Sequence, residues 1–248
     1  MLQLICGTFS LDDISFSGAP DVMTIGAVST PAADAFKTTE RTKVWEGVTV
    51  QQIANDIAKR YKLDLFYDAP TIKIAALEQS GATDSAFLET VCKDYGLSLK
   101  VYGHKLVIFD RARYKKKAAV KTIDKGDMLS YTFNTTLAGT YTGGELVYKN
   151  AAGKEISYKT GKGPRILKSN VQVSNAAEAK LKLDAAIAEA NHSETTLSFS
   201  TMGQPVLAAG QTINITGLGR ANGKYYIDKL SHSVGESYTT AFECAKVQ

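Results

Sequence analysis

The chain is expected to be mainly β, with an α+β segment inserted between β-rich flanks. Three observations predict this. In residues 203–246, Ile213 and Ile215 alternate with Thr212, Asn214 and Thr216, and Phe242 and Cys244 alternate with Ala241 and Glu243, the period of two that half-buried strands require. Residues 49–65 and 83–99 align without a gap at an offset of 34 (83 minus 49), each copy reading as a capped helix that runs into β-prone residues. A composition of 44% hydrophobic and 22% charged residues over 248 positions is that of an ordinary globular chain with room for two cores.

Charge and cysteine usage exclude several function classes. A net charge of +4 is too mild to imply nucleic acid or an anionic membrane, and no specific nucleic-acid binding is expected. No apolar run nears the roughly 20 residues of a membrane-spanning helix. At the N-terminus Cys6 follows Leu4 and Ile5, but no basic region precedes it, the apolar run is short, and Ile5 stands where a cleavage site wants a small residue, so no export signal is expected. Cys6, Cys92 and Cys244 are far apart and form no C-x-x-C pair, which leaves neither a disulfide framework nor a zinc site. Cys92 and Cys244 read as buried free thiols.

In order, residues 1–42 read as short strands at 2–5, 9–16 and 21–29, the last two joined through Gly18, Ala19 and Pro20. Residues 43–110 hold the repeat. Thr49 with Gln52 forms a capping box, Thr83 or Asp84 caps the second helix, and Ile53, Ala54, Ile57, Ala58 and Tyr61 match Phe87, Leu88, Val91, Cys92 and Tyr95 as apolar faces. Gly96 ends the second helix in the left-handed conformation; Lys62 stands in that place in the first copy and either bears strain or ends the helix differently. Residues 111–126 crowd Arg111, Arg113, Lys115, Lys116, Lys117, Lys121 and Lys125 and read as a solvated basic linker. Residues 127–248 return to strands at 129–136, 144–148, 155–160 and 195–200. A connector helix at 175–190, capped by Asn175, is expected to lie on the barrel surface. Gly203, Pro205, Gly210, Gly217, Gly219 and Gly223 punctuate the closing strands, and Tyr238 opens the last of them.

The run G-x-P-x-L-x-x-G, a strand ending G-x-G, G-K-Y-Y-I and a closing Y-T-T strand resembles the C-terminal tube domain of baseplate hub proteins of contractile phage tails, the late control protein D family. The run G-x-F-x-x-D-x-x-x-F-S-G-x-P near the N-terminus and residues 72–110 resemble the same family. The segment T-V-Q-Q-I-A-x-x-I-A-x-x-Y-x-L after Trp45 is similar to the LysM helix and to the hub's helical insertion. The resemblance implies hub-type tube barrels, the second complete over about residues 129–247 and the first truncated, because a longer run of strands precedes this position in the family. It implies a structural part of a phage, prophage or tailocin baseplate, located in the virion tail and assembled in the host cytoplasm. Its implied partners are further copies of itself in a threefold ring if the barrels are complete, the tail tube, the spike and the tape-measure protein.

Candidate sites are few. The LysM likeness makes Trp45, Tyr61 and Tyr67 candidate glycan-binding residues and cell-wall glycan a candidate partner; helical spacing instead makes Tyr61 a core residue. His104, His192 and His232 lie far apart with no metal-type partner at i+3 or i+4. Gly217, Gly219 and Gly223 lack the G-x-G-x-x-G spacing, the run Gly161–Lys162–Gly163–Pro164 lacks the rest of a phosphate loop, and no G-x-S-x-G elbow occurs. No enzyme activity, cofactor or metal is expected. The alternatives are a peptidoglycan-binding protein built on the LysM-like segment and, third, a cell-wall hydrolase.

Overall fold

The protein is described by a computed structural model covering residues 6–7, 9–28, 35–149 and 153–247. It comprises two compact units, one of Ile5–Lys93 with Leu97–Asp110, the other chiefly Arg111–Gln248. The strand expected at residues 2–5 lies outside the described residues.

The first unit begins with an antiparallel hairpin, β1 (Ser10–Ser17) and β2 (Val22–Val28), in which Ile14 faces Ile25 and Phe16 faces Met23. Its side chains are almost all exposed; Phe16 keeps 78% of its surface in solvent. Next come α1 (Ala35–Thr38), β3 (Glu40–Thr49), α2 (Val50–Arg60), β4 (Asp64–Asp68), β5 (Lys73–Thr83), α3 (Asp84–Asp94), β6 (Leu97–Tyr102) and β7 (Lys105–Asp110). β3 pairs with β5, while β4 and β6 bracket β7, the former parallel and the latter antiparallel. The two copies of the repeat therefore deliver their strands to opposite sides of one central strand.

The sequence signals for these helices hold. Thr49 Oγ1 accepts from the Gln52 amide at 3.1 Å and the Gln52 side chain accepts from the Thr49 amide at 2.8 Å, the reciprocal box that satisfies two otherwise unpaired donors. Lys62 takes φ +56 and Gly96 φ +68, so the lysine carries the left-handed turn that glycine makes without a Cβ clash. Val50, Ile53, Ala54 and Ile57 on α2 and Phe87, Leu88, Val91 and Cys92 on α3 are buried. Burial pushes the Cys92 thiol up to about 12, with Glu89 adding to the shift, and makes it inert. The unit starts earlier than residue 43, because Phe36 packs edge-on against Tyr61 at 5.2 Å and β3 opens at Glu40.

The second unit contains α4 (Arg111–Lys116), β8 (Lys121–Asp124), β9 (Met128–Thr135), β10 (Gly143–Lys149), β11 (Glu155–Gly161), β12 (Ile166–Ser169), α5 (Ala176–Ala190), β13 (Thr195–Met202), β14 (Thr212–Thr216), β15 (Gly223–Val234) and β16 (Tyr238–Lys246). Six strands form one sheet in the order β8-β14-β15-β16-β13-β9. Five steps of about 4.8 Å would set β8 and β9 about 24 Å apart in a flat sheet. The link between them is only Lys125–Asp127, which reaches at most about 14 Å. The sheet must therefore curl, and it encloses Ile123, Leu197, Phe199, Ile213, Ile215, Tyr225, Ile227 and Phe242 as its core. β8 and β9 are not hydrogen-bonded to each other, so the tube-type sheet expected of this region is a curled half-barrel with two edges, in keeping with hub-like folds.

Two expectations are corrected here. Residues 111–126 are not a solvated linker: 111–116 are helical, and Lys121–Asp124 pair in parallel with β14, placing Ile123 in the core. The connector helix does not lie on the barrel surface. α5 packs on the separate sheet β11-β10-β12, burying Ala179 and Leu183 with Leu146 and Tyr148. Gly144 makes that approach possible, since a Cβ there would fall 2.7 Å from Leu183 Cδ1. As the spacing of Leu181 and Leu183 requires, Leu181 remains exposed.

Candidate functional site

The glycan platform anticipated from Trp45, Tyr61 and Tyr67 does not assemble. Trp45 is 3% exposed, its indole stacked on Phe87 at 6.3 Å, with the Lys43 ammonium 3.5 Å from the ring centroid. Tyr61 is 9% exposed and gives its hydroxyl proton to Asp84 Oδ2 at 2.6 Å. Tyr67 is half-buried and donates to the Pro70 carbonyl at 3.1 Å. With two of the three rings in the core, these residues present no shared exposed aromatic face of the kind that stacks on a sugar.

What the first unit builds instead is a buried charge cluster. Asp84, read from sequence as a cap for α3, is fully buried. The capping contact comes from Thr83, whose Oγ1 accepts from the Ala86 amide. The Asp84 carboxylate accepts from Arg60, Tyr61 and Gln79, and Arg41 Nε lies 3.3 Å from Oδ2. Burial alone would push its pKa up; the bonds from Tyr61, Gln79 and Arg60 and the charge of Arg60 outweigh that and hold it below the usual carboxylate range.

In the second unit the sequence-predicted turn residues shape the half-barrel. Gly203 donates to the Tyr238 carbonyl at 2.8 Å, and a Cβ on it would fall 2.1 Å from Tyr238 Cδ1, so the tyrosine ring lies directly over the glycine. Pro205 occupies the second position of the turn closed by Leu207 N on Gln204 O, where its fixed φ is favoured. Gly210, Gly217, Gly219 and Gly223 all take positive φ. His104 stands at an exposed turn, His232 contacts Thr240 and Tyr238, and His192 lies beside α4, so the three histidines form no common centre. Among the described residues no group of His, Cys, Asp and Glu is placed to hold a metal ion.

The features that offer contact are sheet edges and apolar surface. β9 is an edge strand that exposes Leu129, at 58%, and Tyr131. β1 and β2 expose Leu11, Ile14, Phe16, Met23 and Ile25 on a two-stranded sheet. Unpaired strand edges and contiguous apolar surface mark places where other chains add. A family profile described as YQBQ-like matches residues 36–243. The chain belongs to the YQBQ-like family.

This YQBQ-like chain is 29% identical over 144 residues to the "Probable baseplate hub protein" of Escherichia phage 186, an alignment covering 55% of this chain and 36% of the relative. It therefore spans little more than a third of that curated relative. Its fold is similar to the tail protein from Neisseria meningitidis MC58 (TM-score 0.76, 12% identity, 97% of this chain and 80% of that one). It is also similar to the 43 kDa tail protein of prophage MuSo2 from Shewanella oneidensis (TM-score 0.72, 14% identity, 95% and 76%). The likeness to baseplate hub proteins seen in the turn pattern is thus borne out.

Sequence reasoning missed β8, β12 and the role of Asp84 in the YQBQ-like chain. One signal for β8 was available: Ile123 is the apolar residue of Lys121–Asp124, at a strand-like position between polar neighbours.

Proposed function

We propose that this chain is a structural component of a contractile-tail baseplate hub, in a phage, prophage or tailocin, joining the tail tube to the spike. The observation that carries this reading is the curled six-stranded half-barrel with its glycine-punctuated closing strands, in a YQBQ-like chain whose curated relative bears a baseplate hub name. Its partners in this reading are further copies of itself, the tail tube, the spike and the tape-measure protein. Its place is the virion tail, after assembly in the host cytoplasm. The exposed β1–β2 ladder supports a first sheet that is completed by strands supplied by another chain. Electron microscopy of tails from a host lacking this chain tests the reading: free tubes without baseplates are expected, and intact tails with normal baseplates would overturn it. For the isolated chain at tens of micromolar, light scattering is expected to give a monomer or small oligomer, since a ring persists only when each interface buries upward of about 1,000 Å². A stable trimer would refute the incomplete first sheet while leaving the hub reading intact.

The role is non-catalytic in this reading. No release of fragments from purified peptidoglycan is expected, and release that a His104/His192/His232 triple substitution abolishes would overturn this part. The buried positions of Trp45 and Tyr61 leave the glycan-binding alternative without support.

A further inference from the structure

Within the second unit, α4, α5, the ends of β10 and β11, and the C-terminal end of β16 enclose an open cleft of about 380 Å³. Gly143 and Gly161 sit opposite each other at its edge. A Cβ on Gly161 would fall 2.4 Å from the Thr142 carbonyl oxygen, so the two strands approach there as only glycine permits. Ala112, Ile187 and Ala188 give the cleft apolar walls, and Lys115, Lys116 and Lys246 are among its lining residues, as is Asp184.

Lys115 is the unusual member. Its ammonium has only protons to give, so at 2.9 Å it donates to His192 Nδ1, which fixes the imidazole proton on Nε2, and that nitrogen donates to Asp228 Oδ1 at 2.8 Å. The Lys115–His192–Asp228 chain holds the lysine in one place. It does not neutralise it: among the described residues no carboxylate lies within ion-pair distance of Lys115 Nζ. The neighbouring carboxylates are otherwise engaged, Asp228 by His192, Glu189 by Arg111 and Asp184 by Lys180. Lys116 is exposed, and Lys246 donates to the Arg220 carbonyl at 3.2 Å. Of the three neighbouring carboxylates only Asp228 is not in a salt bridge with lysine or arginine, so Lys115, Lys116 and Lys246 leave a surplus of positive charge around a cleft with apolar walls, where its field is least screened. Burial, then the charge of Arg111, lowers the Lys115 pKa against the opposing pull of Asp228 and Glu189, as expected of an ammonium short of a counter-ion.

We propose that this cleft is a binding site for a phosphate-like oxyanion, held by Lys115 on its wall and by Lys116 and Lys246 beside it, with His192 and Asp228 as positioning residues. Several point-charge ammonium groups around one small space suit a multiply charged, compact anion better than a single planar carboxylate, for which the forked guanidinium is the better match. Arg111, the arginine whose charge acts on Lys115, is already taken by Glu189.

The test is calorimetric titration of the full chain with inorganic phosphate at low ionic strength, against chloride and acetate at matched ionic strength. Saturable one-to-one binding of phosphate alone is expected. Lys115→Gln is expected to weaken it about tenfold or more, the value of one charge-assisted hydrogen bond, and Lys116→Gln about threefold, as a more exposed charge contributes less. Lys162→Gln, on the exposed loop after β11, is expected to leave it unchanged. Because Lys116 is exposed, its variant keeps the test available even if Lys115→Gln fails to fold. Binding no stronger than chloride, equal binding of acetate, unchanged affinity in Lys116→Gln, or equal loss in Lys162→Gln would each overturn the proposal.

Discussion

Replacing Ile57 with aspartate is expected to unfold the first unit while the half-barrel keeps its protection. Ile57 is fully buried on α2 among Ile53, Ala54 and Ala58, so the new carboxylate has neither water nor a partner. A buried unpaired charge costs several kcal/mol, a large share of the 5–15 kcal/mol by which domains are typically stable. Hydrogen exchange checks it: amides of residues 43–93 should lose protection at a denaturant concentration where β14, β15 and β16 remain protected. Equal loss in both units would sink the idea that they are separately cooperative.

Asp84→Ala is expected to cost about 3–5 kcal/mol, because it removes the shared acceptor and leaves Arg60, Arg41, Tyr61 and Gln79 facing an empty place. The pH dependence has a definite sign. A carboxylate whose folded pKa is depressed contributes stability that is fully present above its unfolded value, about 3.9, and is lost as pH falls through the lower folded value. Asp84→Asn should therefore differ most from the wild type near neutral pH, and the gap should narrow in acid below about pH 4. Denaturant midpoints across that range, read from a probe in the first unit, check it. A gap that stays constant with pH would contradict an ionised Asp84.

The elements legible in the sequence are those whose signal is local. Thr49 with Gln52, Gly96, Asn175 and the alternation around Ile213 and Phe242 act within a few residues, and each stands where the pattern puts it. The failures are of contacts between distant positions. β8 carries three polar residues and one isoleucine, and its identity as a strand depends on a partner about 90 residues away. Asp84 looks like an ordinary helix-start acid until residues 23 and 24 positions earlier fold against it. Trp45 carried a glycan signal that only burial could remove, whereas helical spacing already placed Tyr61 in the core. The cleft was equally hidden, since Lys115 and His192 are 77 residues apart and Lys115 and Lys116 read as part of a solvated basic linker.

The strand order of the half-barrel also dictates a sequence of events during synthesis. Its centre, β15 and β16, is made of the last of its six strands to be translated, while its two edges, β8 and β9, are the first of the six to emerge. On the ribosome β8 and β9 wait without partners until β14 and β13 arrive, and β13 in turn pairs with β16, whose final residues lie at the end of the described chain. Contacts of such long sequence separation form slowly. The nucleus is thus expected in the C-terminal meander β14-β15-β16, with the early strands docking onto it from either side. A nascent chain arrested before residue 238 should have no half-barrel at all, and its exposed β9 edge would be the segment most open to pairing with a neighbouring polysome's product.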